Sequence, residues 1–125
     1  MWREKAVTAL RKAGYKLTPQ RLKLIEILED IGSEHPALTE VLRRVRKEFP
    51  TMSFSTLYSN VLTLKKLGLI EVFSLNGETR VELNINPHIN LIFGDMIVDL
   101  DAPEIIIMIE NKVKKNVKLV NVLLD

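Results

Sequence analysis

The spacing of apolar residues changes at Gly68 from the period of a helix to that of a strand. Before this glycine, apolar residues recur every three or four positions, at Leu57, Val61, Leu64 and Leu67. After it come two short β-prone runs, 70–73 and 79–83, joined through an Asn-Gly pair. Because Asn-Gly accepts the positive φ angles of a tight turn, the sequence predicts a helix followed directly by a β-hairpin.

Three more helical patterns precede this segment. The first covers residues 3–13. The second begins where Thr18 is placed to cap a helix, has Pro19 in its first turn, and ends at Gly32. The third covers Ala37 to Phe49, with apolar residues on one side and basic residues around the other. The N-terminal part of the chain is therefore predicted to be mainly helical.

Short helices followed by a β-hairpin describe a winged helix-turn-helix. The last helix before the hairpin, capped by Ser53 or Ser55, then becomes the recognition helix that enters the major groove. Its outward face carries Ser55, Tyr58 and Ser59, whose hydroxyl groups suit phosphates or base edges. Helix-hairpin units also serve as protein-interaction modules, so a DNA-free role remains an alternative.

A second, smaller unit follows the hairpin. Strands are predicted at 89–93 and 96–100, then a helix through the IIIMIENKVKK run, then a last strand at 117–124. A unit of this size is too small to be stable alone, so pairing with its own copy in a homodimer is expected. The predicted fold class is α+β: an N-terminal winged helix-turn-helix at 1–83, a hinge at 84–87, and a small α/β dimerisation domain at 88–125.

Charge is distributed unevenly along the chain. Residues 1–66 carry 13 Lys and Arg against 7 Asp and Glu, whereas residues 67–125 carry 5 against 9. A basic half suits a polyanion such as nucleic acid. An acidic half suits either solvation or binding of a hard cation.

Composition excludes several classes of protein. The chain has no Cys, so disulfides, thiolate catalysis and thiolate zinc sites are impossible. No apolar run approaches the roughly 20 residues needed to cross a bilayer, and the N-terminus lacks a secretory signal pattern, so no membrane association and a cytoplasmic location are expected. An enzyme is not expected, because no phosphate loop, G-x-S-x-G elbow or H-E-x-x-H motif is present.

Three segments resemble, in order and spacing, the ferric uptake regulator family of metal-dependent transcription factors. They are AGYKLTPQRLKLIEIL, EHPALTEVLRRVRKEFPTMSFSTLYSNVLTLKKLGLIEV and RVELNINPHINLIF, and they extend over most of the chain. Within them, TPQR and the P-x-x-S-x-x-T-x-Y pattern are specific to the family. The resemblance implies a dimeric repressor that binds double-stranded operator DNA.

The resemblance also implies one regulatory divalent metal per protomer, Fe²⁺, Mn²⁺ or Zn²⁺. The positions that correspond to the family's ligands are His35, Glu82, His88, Asn90 and Asp99. Imidazole and carboxylate groups suit all these ions, and affinity order alone does not choose among them. For DNA contact, the matching positions are Lys16, Ser55, Thr56, Tyr58 and Ser59.

Three departures from the family pattern change what is expected. Asn90 stands where the family has a second His, and an amide oxygen is a weaker ligand for these metals. The family's structural zinc motif is missing, with Phe93 at its first Cys position, so packing must replace that zinc. Ser59 stands where the family commonly has Arg, which removes one strong DNA contact.

Two alternatives to simple metal sensing remain open. In one, bound Fe²⁺ makes the protein a peroxide sensor in which His35 or His88 is oxidised. In the other, the substitution at Asn90 marks a decayed site, and the chain is a metal-independent winged-helix regulator.

Overall fold

The computed structural model describes all 125 residues, which divide into two compact units, Met1–Leu83 and Asn84–Asp125. The first unit contains four α-helices and a hairpin: α1 (Trp2–Lys12), α2 (Pro19–Ile31), α3 (Leu38–Val45), α4 (Phe54–Lys66), β1 (Glu71–Leu75) and β2 (Glu78–Glu82). The second contains three strands and one helix: β3 (His88–Phe93), β4 (Met96–Leu100), α5 (Pro103–Val113) and β5 (Leu119–Leu123). None of the helices has the length and apolar character needed to cross a bilayer.

Two predicted helix starts in the first unit, those of α2 and α4, are confirmed by capping bonds. The Thr18 hydroxyl accepts a hydrogen bond from the Arg21 amide at 3.2 Å, and Pro19 is the first residue of α2. The Ser53 hydroxyl accepts from the Thr56 amide at 3.1 Å, so Ser53 rather than Ser55 caps α4. Each bond satisfies an amide that the first turn of a helix leaves without a partner.

The third helix is shorter than predicted. It ends at Val45 instead of Phe49. The Lys47 and Glu48 amides bond to carbonyls three residues back, at 3.2 and 3.1 Å, which tightens the chain into turns ahead of Pro50. The apolar period continues through this turn, which is why spacing alone overestimated the helix.

The core of the first unit is formed by all four helices and the hairpin. Its fully buried side chains include Leu10, Ile25, Leu28, Val41, Val45, Leu57, Val61, Ile70 and Val81. The hairpin has the predicted two-residue loop, with positive φ at both Asn76 (52°) and Gly77 (79°). A single bridge between Ala37 and Arg80 adds the segment before α3 to the edge of the hairpin.

The second unit is a three-stranded sheet in the order β4-β3-β5, with β3 antiparallel to β4 and parallel to β5. Between β4 and β5 the chain passes through α5, as a parallel connection requires. Ile89 on β3 packs with Ala102 and Ile106 in a small core, to which Val120 and Val122 of β5 add. The observed architecture confirms the predicted α+β fold.

Candidate metal ligands and nucleic-acid interface

His35 and Glu82 form a buried pair within the first unit. The His35 Nε2 atom lies 3.1 Å from Glu82 Oε2, and both side chains are at most 5 % exposed. An edge-to-face contact with the Phe73 ring, 6.1 Å between centroids, orients the imidazole. Burial of a carboxylate is costly unless a cation or several donors stabilise it, so this pair is a reasonable binding site for a metal ion.

The backbone of His35 is held in an uncommon conformation. Its φ and ψ are both 54°, in the left-handed region that non-glycine residues seldom occupy. The His35 amide donates to the Gly32 carbonyl at 3.2 Å, and its own carbonyl accepts from Arg80 Nη1 at 3.1 Å. Since such strain persists only where the surroundings enforce it, the position of this imidazole is well determined by the fold.

The hairpin brings Glu82 to His35. The Val81 amide donates to the Pro36 carbonyl at 3.0 Å, and Ala37 bridges Arg80. These bonds join the residues just after His35 to the residues just before Glu82. The closeness of His35 and Glu82 is therefore a consequence of how the wing pairs with the segment leading into α3.

His88 is oriented by its own neighbours in the second unit. Its Nδ1 lies 2.7 Å from the Asn86 carbonyl oxygen. Since a carbonyl only accepts, Nδ1 carries the proton, and Nε2 is the ring atom whose lone pair suits a metal ion. That Nε2 lies 3.9 Å from Asp99 Oδ1. A ligating histidine normally donates its other N–H to a carbonyl or carboxylate in this manner.

Asn90 lies on the same face of β3 as His88, two residues along the strand. Asp99 is its partner across β4, and the two side chains share that face. The Asn90 amide nitrogen donates to Asn121 Oδ1 on β5 at 3.2 Å. The amide oxygen of Asn90 therefore points away from this bond. Asn90 is therefore buried, and its side chain is held by Asn121. Its amide oxygen is a type of ligand that hard cations bind.

The outward face of α4 carries most of the residues predicted to meet DNA. Ser55, Tyr58 and Ser59 are exposed and line one shallow concavity of about 500 Å³, together with Tyr15, Phe54, Leu62, Thr63 and Lys66. Within it the Phe54 and Tyr58 rings are stacked, with centroids 6.0 Å apart and planes 14° from parallel. The helix buries Leu57, Val61 and Leu64 on its opposite side.

Lys16 and Thr56 line a second concavity of about 470 Å³ beside the first end of α4. Its wall includes both capping residues, Thr18 and Ser53. The predicted DNA-contacting residues therefore fall into two groups, one on the recognition helix face and one where the starts of α2 and α4 meet. Exposed helix starts favour anionic groups such as phosphate.

Arg21 connects the chain segments that line the second concavity. Its Nη1 donates to the Lys16 carbonyl at 2.9 Å, and its Nε donates to Asn60 Oδ1 of α4 at 3.1 Å. Its guanidinium also lies over the Tyr15 ring, 5.5 Å from the centroid. Arg21 thereby ties the segment that presents Lys16 to the recognition helix.

Sequence reasoning missed three residues that the structure places at these sites. Arg21 appeared only as part of a helix start, and Arg80 appeared only as part of a strand. Phe54 was not assigned to the DNA-facing group. The available signal for Phe54 was its position four residues before Tyr58, which predicts a shared helical face.

The chain matches a known family over most of its length. Residues 12–125 match the family described as the ferric uptake regulator family. A ferric uptake regulation protein homolog of Archaeoglobus fulgidus is 55 % identical over 125 residues, which is 100 % of this chain and 98 % of that one. A peroxide-responsive repressor of Staphylococcus epidermidis is 30 % identical over 105 residues, 82 % of this chain and 69 % of the other.

A solved structure supports the same relationship. The peroxide stress regulator of Campylobacter jejuni superposes with a TM-score of 0.67 at 29 % identity, covering 95 % of this chain and 94 % of that one. The likeness thus includes the elements that carry both candidate sites. This chain belongs to the ferric uptake regulator family of metal-responsive transcription regulators.

Proposed function

We propose that this protein is a homodimeric repressor that binds double-stranded operator DNA in response to one divalent metal ion per protomer, Fe²⁺, Mn²⁺ or Zn²⁺. The observation that carries the proposal is the buried His35–Glu82 pair, 3.1 Å apart, in the same unit as the exposed face of α4. Family membership supports the regulatory role, and the pair supplies imidazole and carboxylate donors of the type these metals select.

The proposed ligands are His35 and Glu82 from the first unit and His88, Asn90 and Asp99 from the second. Their donor set fits a first-row divalent ion, and the bond from His88 Nδ1 to the Asn86 carbonyl fixes the tautomer that such a ligand needs. A divalent ion held by these residues would supply a positive charge that offsets the charges of the Glu82 and Asp99 carboxylates.

For DNA contact we propose Ser55, Tyr58 and Ser59 on the helix face and Lys16 and Thr56 at its side. Lys16 would pair with a backbone phosphate, and the hydroxyl groups would bond to phosphates or base edges. Since Ser59 replaces the family's usual Arg, direct guanine reading is expected to be weaker here.

The dimer is proposed to form through the second unit. Its exposed apolar side chains include Met96, Val98 and Leu100 on β4 and Ile107 and Met108 on α5. In the antiparallel register these β4 residues are partners of Phe93, Leu91 and Ile89, so they share the face of the sheet on which α5 packs. An exposed apolar area of this kind marks an interaction site, and a second copy would cover it.

The proposed mechanism is a population shift. Residues 84–87 would act as a hinge, with proposed ligands on both sides of it. A metal ion that held all the ligands would limit the conformations that the hinge can adopt. A dimer with its recognition helices matched to successive half-sites then binds the operator more tightly. A coupling of about 1–3 kcal/mol between metal and DNA suffices for a roughly 5- to 150-fold change in affinity.

The test is DNA affinity with and without metal. Fluorescence anisotropy on the DNA upstream of the protein's own gene, with Mn²⁺ or with a chelator, should show tighter binding with metal. Glu82→Gln should abolish this difference, whereas Glu26→Gln, which removes an exposed carboxylate from α2 of the same unit, should preserve it. Metal-independent binding by the unaltered protein would instead favour a constitutive winged-helix regulator.

Peroxide sensing is a second candidate, favoured by the 30 % identity to a peroxide-responsive repressor. In this case the iron-loaded protein treated with peroxide should gain one oxygen atom on His35 or His88, as measured by peptide mass spectrometry. The manganese-loaded protein is the control. Unmodified histidines after treatment with iron and peroxide would leave plain metal sensing as the function.

A further inference from the structure

We propose that Asn84 is a positioning residue for the proposed metal site, because its side chain shapes the turn that sets the tautomer of His88. The inference rests on the function proposed above and deepens it. It makes the conformation of residues 84–87, the proposed hinge, part of the metal site itself. The hinge then controls how well His88 binds the ion, besides connecting the two units.

A turn closed by an asparagine side chain orders this segment. Asn84 Oδ1 accepts a hydrogen bond from the Asn86 amide at 3.1 Å. Such a bond, from a side-chain oxygen to the amide two residues on, is an Asx turn and takes the place of a backbone turn. Pro87 follows, and its ring fixes its own φ and favours an extended conformation at Asn86. Since Asn86 is restricted from both sides, the direction of its carbonyl group is determined.

The same carbonyl group holds the His88 ring. Its oxygen lies 2.7 Å from Nδ1, which is a short hydrogen bond and places the hydrogen on that nitrogen. Asp99 is the competing acceptor, because a carboxylate beside Nε2 favours a hydrogen there instead. Its Oδ1 lies 3.9 Å from Nε2, which is longer than a hydrogen bond. The Asn86 carbonyl therefore decides which nitrogen of His88 carries the hydrogen.

The tautomer in turn decides what His88 offers to a metal ion. An ion binds the ring nitrogen that carries the lone pair, which is Nε2 when the hydrogen is on Nδ1. The Nε2 atom is also the one nearer to Asp99, another proposed ligand. If only a fraction of the molecules has this tautomer, the apparent affinity for metal falls in proportion to that fraction. A turn that keeps the fraction close to one therefore strengthens metal binding.

Metal binding and the turn are coupled in both directions. A turn that strengthens metal binding is itself stabilised, by the same factor, when the metal is bound. The side chains of residues 84–87 are all exposed, so tight packing does not fix their conformation. Local hydrogen bonds such as that of Asn84 consequently have a large influence on the shape of the hinge.

The experiment removes the acceptor of the Asx turn in the full-length protein. Nitrogen NMR of the metal-free protein, at a pH where the imidazole rings are neutral, reports the His88 tautomer, and competition with a chromophoric chelator measures Zn²⁺ affinity. Asn84→Ala should convert the single Nδ1–H tautomer into a mixture. It should also weaken Zn²⁺ binding by about tenfold, the lower end of the loss expected when a partner of a ligand histidine is disturbed. Asn84→Asp keeps an acceptor oxygen and should restore the tautomer and the affinity.

Asn86→Ala is the matched control. It truncates the other asparagine of the same turn, which contributes its backbone amide and carbonyl to the two bonds. Asn86 is not among the residues with positive φ, so alanine fits its backbone conformation. The tautomer and the Zn²⁺ affinity of this variant should match those of the unaltered protein. Thermal unfolding of each variant checks that the fold is intact.

The outcomes separate this inference from the function on which it rests. An unchanged tautomer or an unchanged Zn²⁺ affinity in Asn84→Ala overturns the inference and leaves metal-dependent regulation standing. Equal losses in Asn84→Ala and Asn86→Ala also overturn it, because the effect would then not depend on the Asn84 oxygen. If the unaltered protein binds no Zn²⁺, the proposed metal response fails, and the role of the turn fails with it.

Discussion

Gly32 ends α2 with ordinary right-handed backbone angles, φ −60° and ψ −30°, so its conformation suits any residue. What excludes a side chain is space, because a Cβ at this position would overlap the side chain of Leu83 just beyond β2. The close approach lets the turn after α2 lie against the end of the wing. Three residues later the chain reaches His35, so the same contact helps to place a proposed ligand.

Gly32→Ala should destabilise the protein by about 1–3 kcal/mol, the range expected for overpacking a buried site. Helix propensity alone predicts the opposite, since Ala is favoured over Gly by about 1 kcal/mol. Denaturant unfolding measures the difference. Leu83→Ala in the same chain should relieve the overlap, so the double variant should lose less than the sum of the two single losses. Strict additivity would contradict the steric explanation.

Glu40 on α3 shows how exposed ion pairs set a pKa. Hydrogen bonds from Arg43, at 2.9 and 2.7 Å, and a longer one from Arg44 lower the pKa of Glu40 from 4.5 to about 2. Because the pKa is lowered by folding, these pairs stabilise the protein fully above about pH 4.5, and the contribution is lost as the pH falls through about 2. The group is exposed, so its effect on stability is small.

A carbon-detected NMR titration of the Glu40 carboxyl group checks this assignment. Arg43→Gln should move its pKa upward towards 4.5, since Arg43 is the largest cause of the shift. Lys47→Gln, an exposed change just after α3, should leave it in place. A Glu40 pKa that does not respond to Arg43→Gln would show that the bidentate contact is absent in solution.

At the scale of elements, the start of α2 and the middle of α4 are connected through Arg21. Its bonds to the Lys16 carbonyl and to Asn60, with the contact to Tyr15, link the segment before α2 to the recognition helix. The two groups of proposed DNA contacts are thus held at a defined spacing. Fixed spacing matters because phosphate contacts set the register in which base edges are read.

Arg21→Gln should weaken DNA binding by up to about 1.5–3 kcal/mol, the size of a lost hydrogen bond to a charged donor. If Arg21 acts by positioning Lys16, then Lys16→Ala and Arg21→Gln should not add, and the double variant should bind nearly as well as Lys16→Ala alone. Anisotropy titrations of the four proteins give this cycle. Additive losses would mean that Arg21 contacts DNA itself.

At the scale of the whole molecule, the second unit has a small core and much exposed apolar surface. Its buried apolar residues are Ile89, Ile92, Ala102 and Ile106, whereas Met96, Ile107, Met108 and Leu123 are each more than half exposed. A unit with so few buried side chains needs a partner surface to be stable. This is the physical reason for the proposed homodimer.

Met108→Glu should shift the protein from dimer to monomer, because it would place a charge in an apolar interface. Sedimentation velocity at micromolar concentration measures the change, and we expect at least about a tenfold weaker association. Leu22→Glu, a matched change on the exposed side of α2 in the first unit, should leave the dimer intact. A dimer unaffected by Met108→Glu and by Ile107→Glu would place the interface elsewhere.

Local signals in the sequence were sufficient for the order and type of the elements. Capping by Thr18, the Asn76-Gly77 turn and the apolar period of α4 each act within a few residues, and all three are found as predicted. The end of α3 was missed because the apolar period continues past Val45 into a turn. The proposed ligand positions came from the family resemblance, since two histidines far apart in a chain carry little signal of their own.

Contacts between segments that are distant in the sequence could be identified only in the folded structure. His35 meets Glu82 because the wing pairs with the segment before α3, and Arg21 meets Asn60 because α2 and α4 pack on one core. Such contacts depend on how whole elements pack, which no pattern within one segment records.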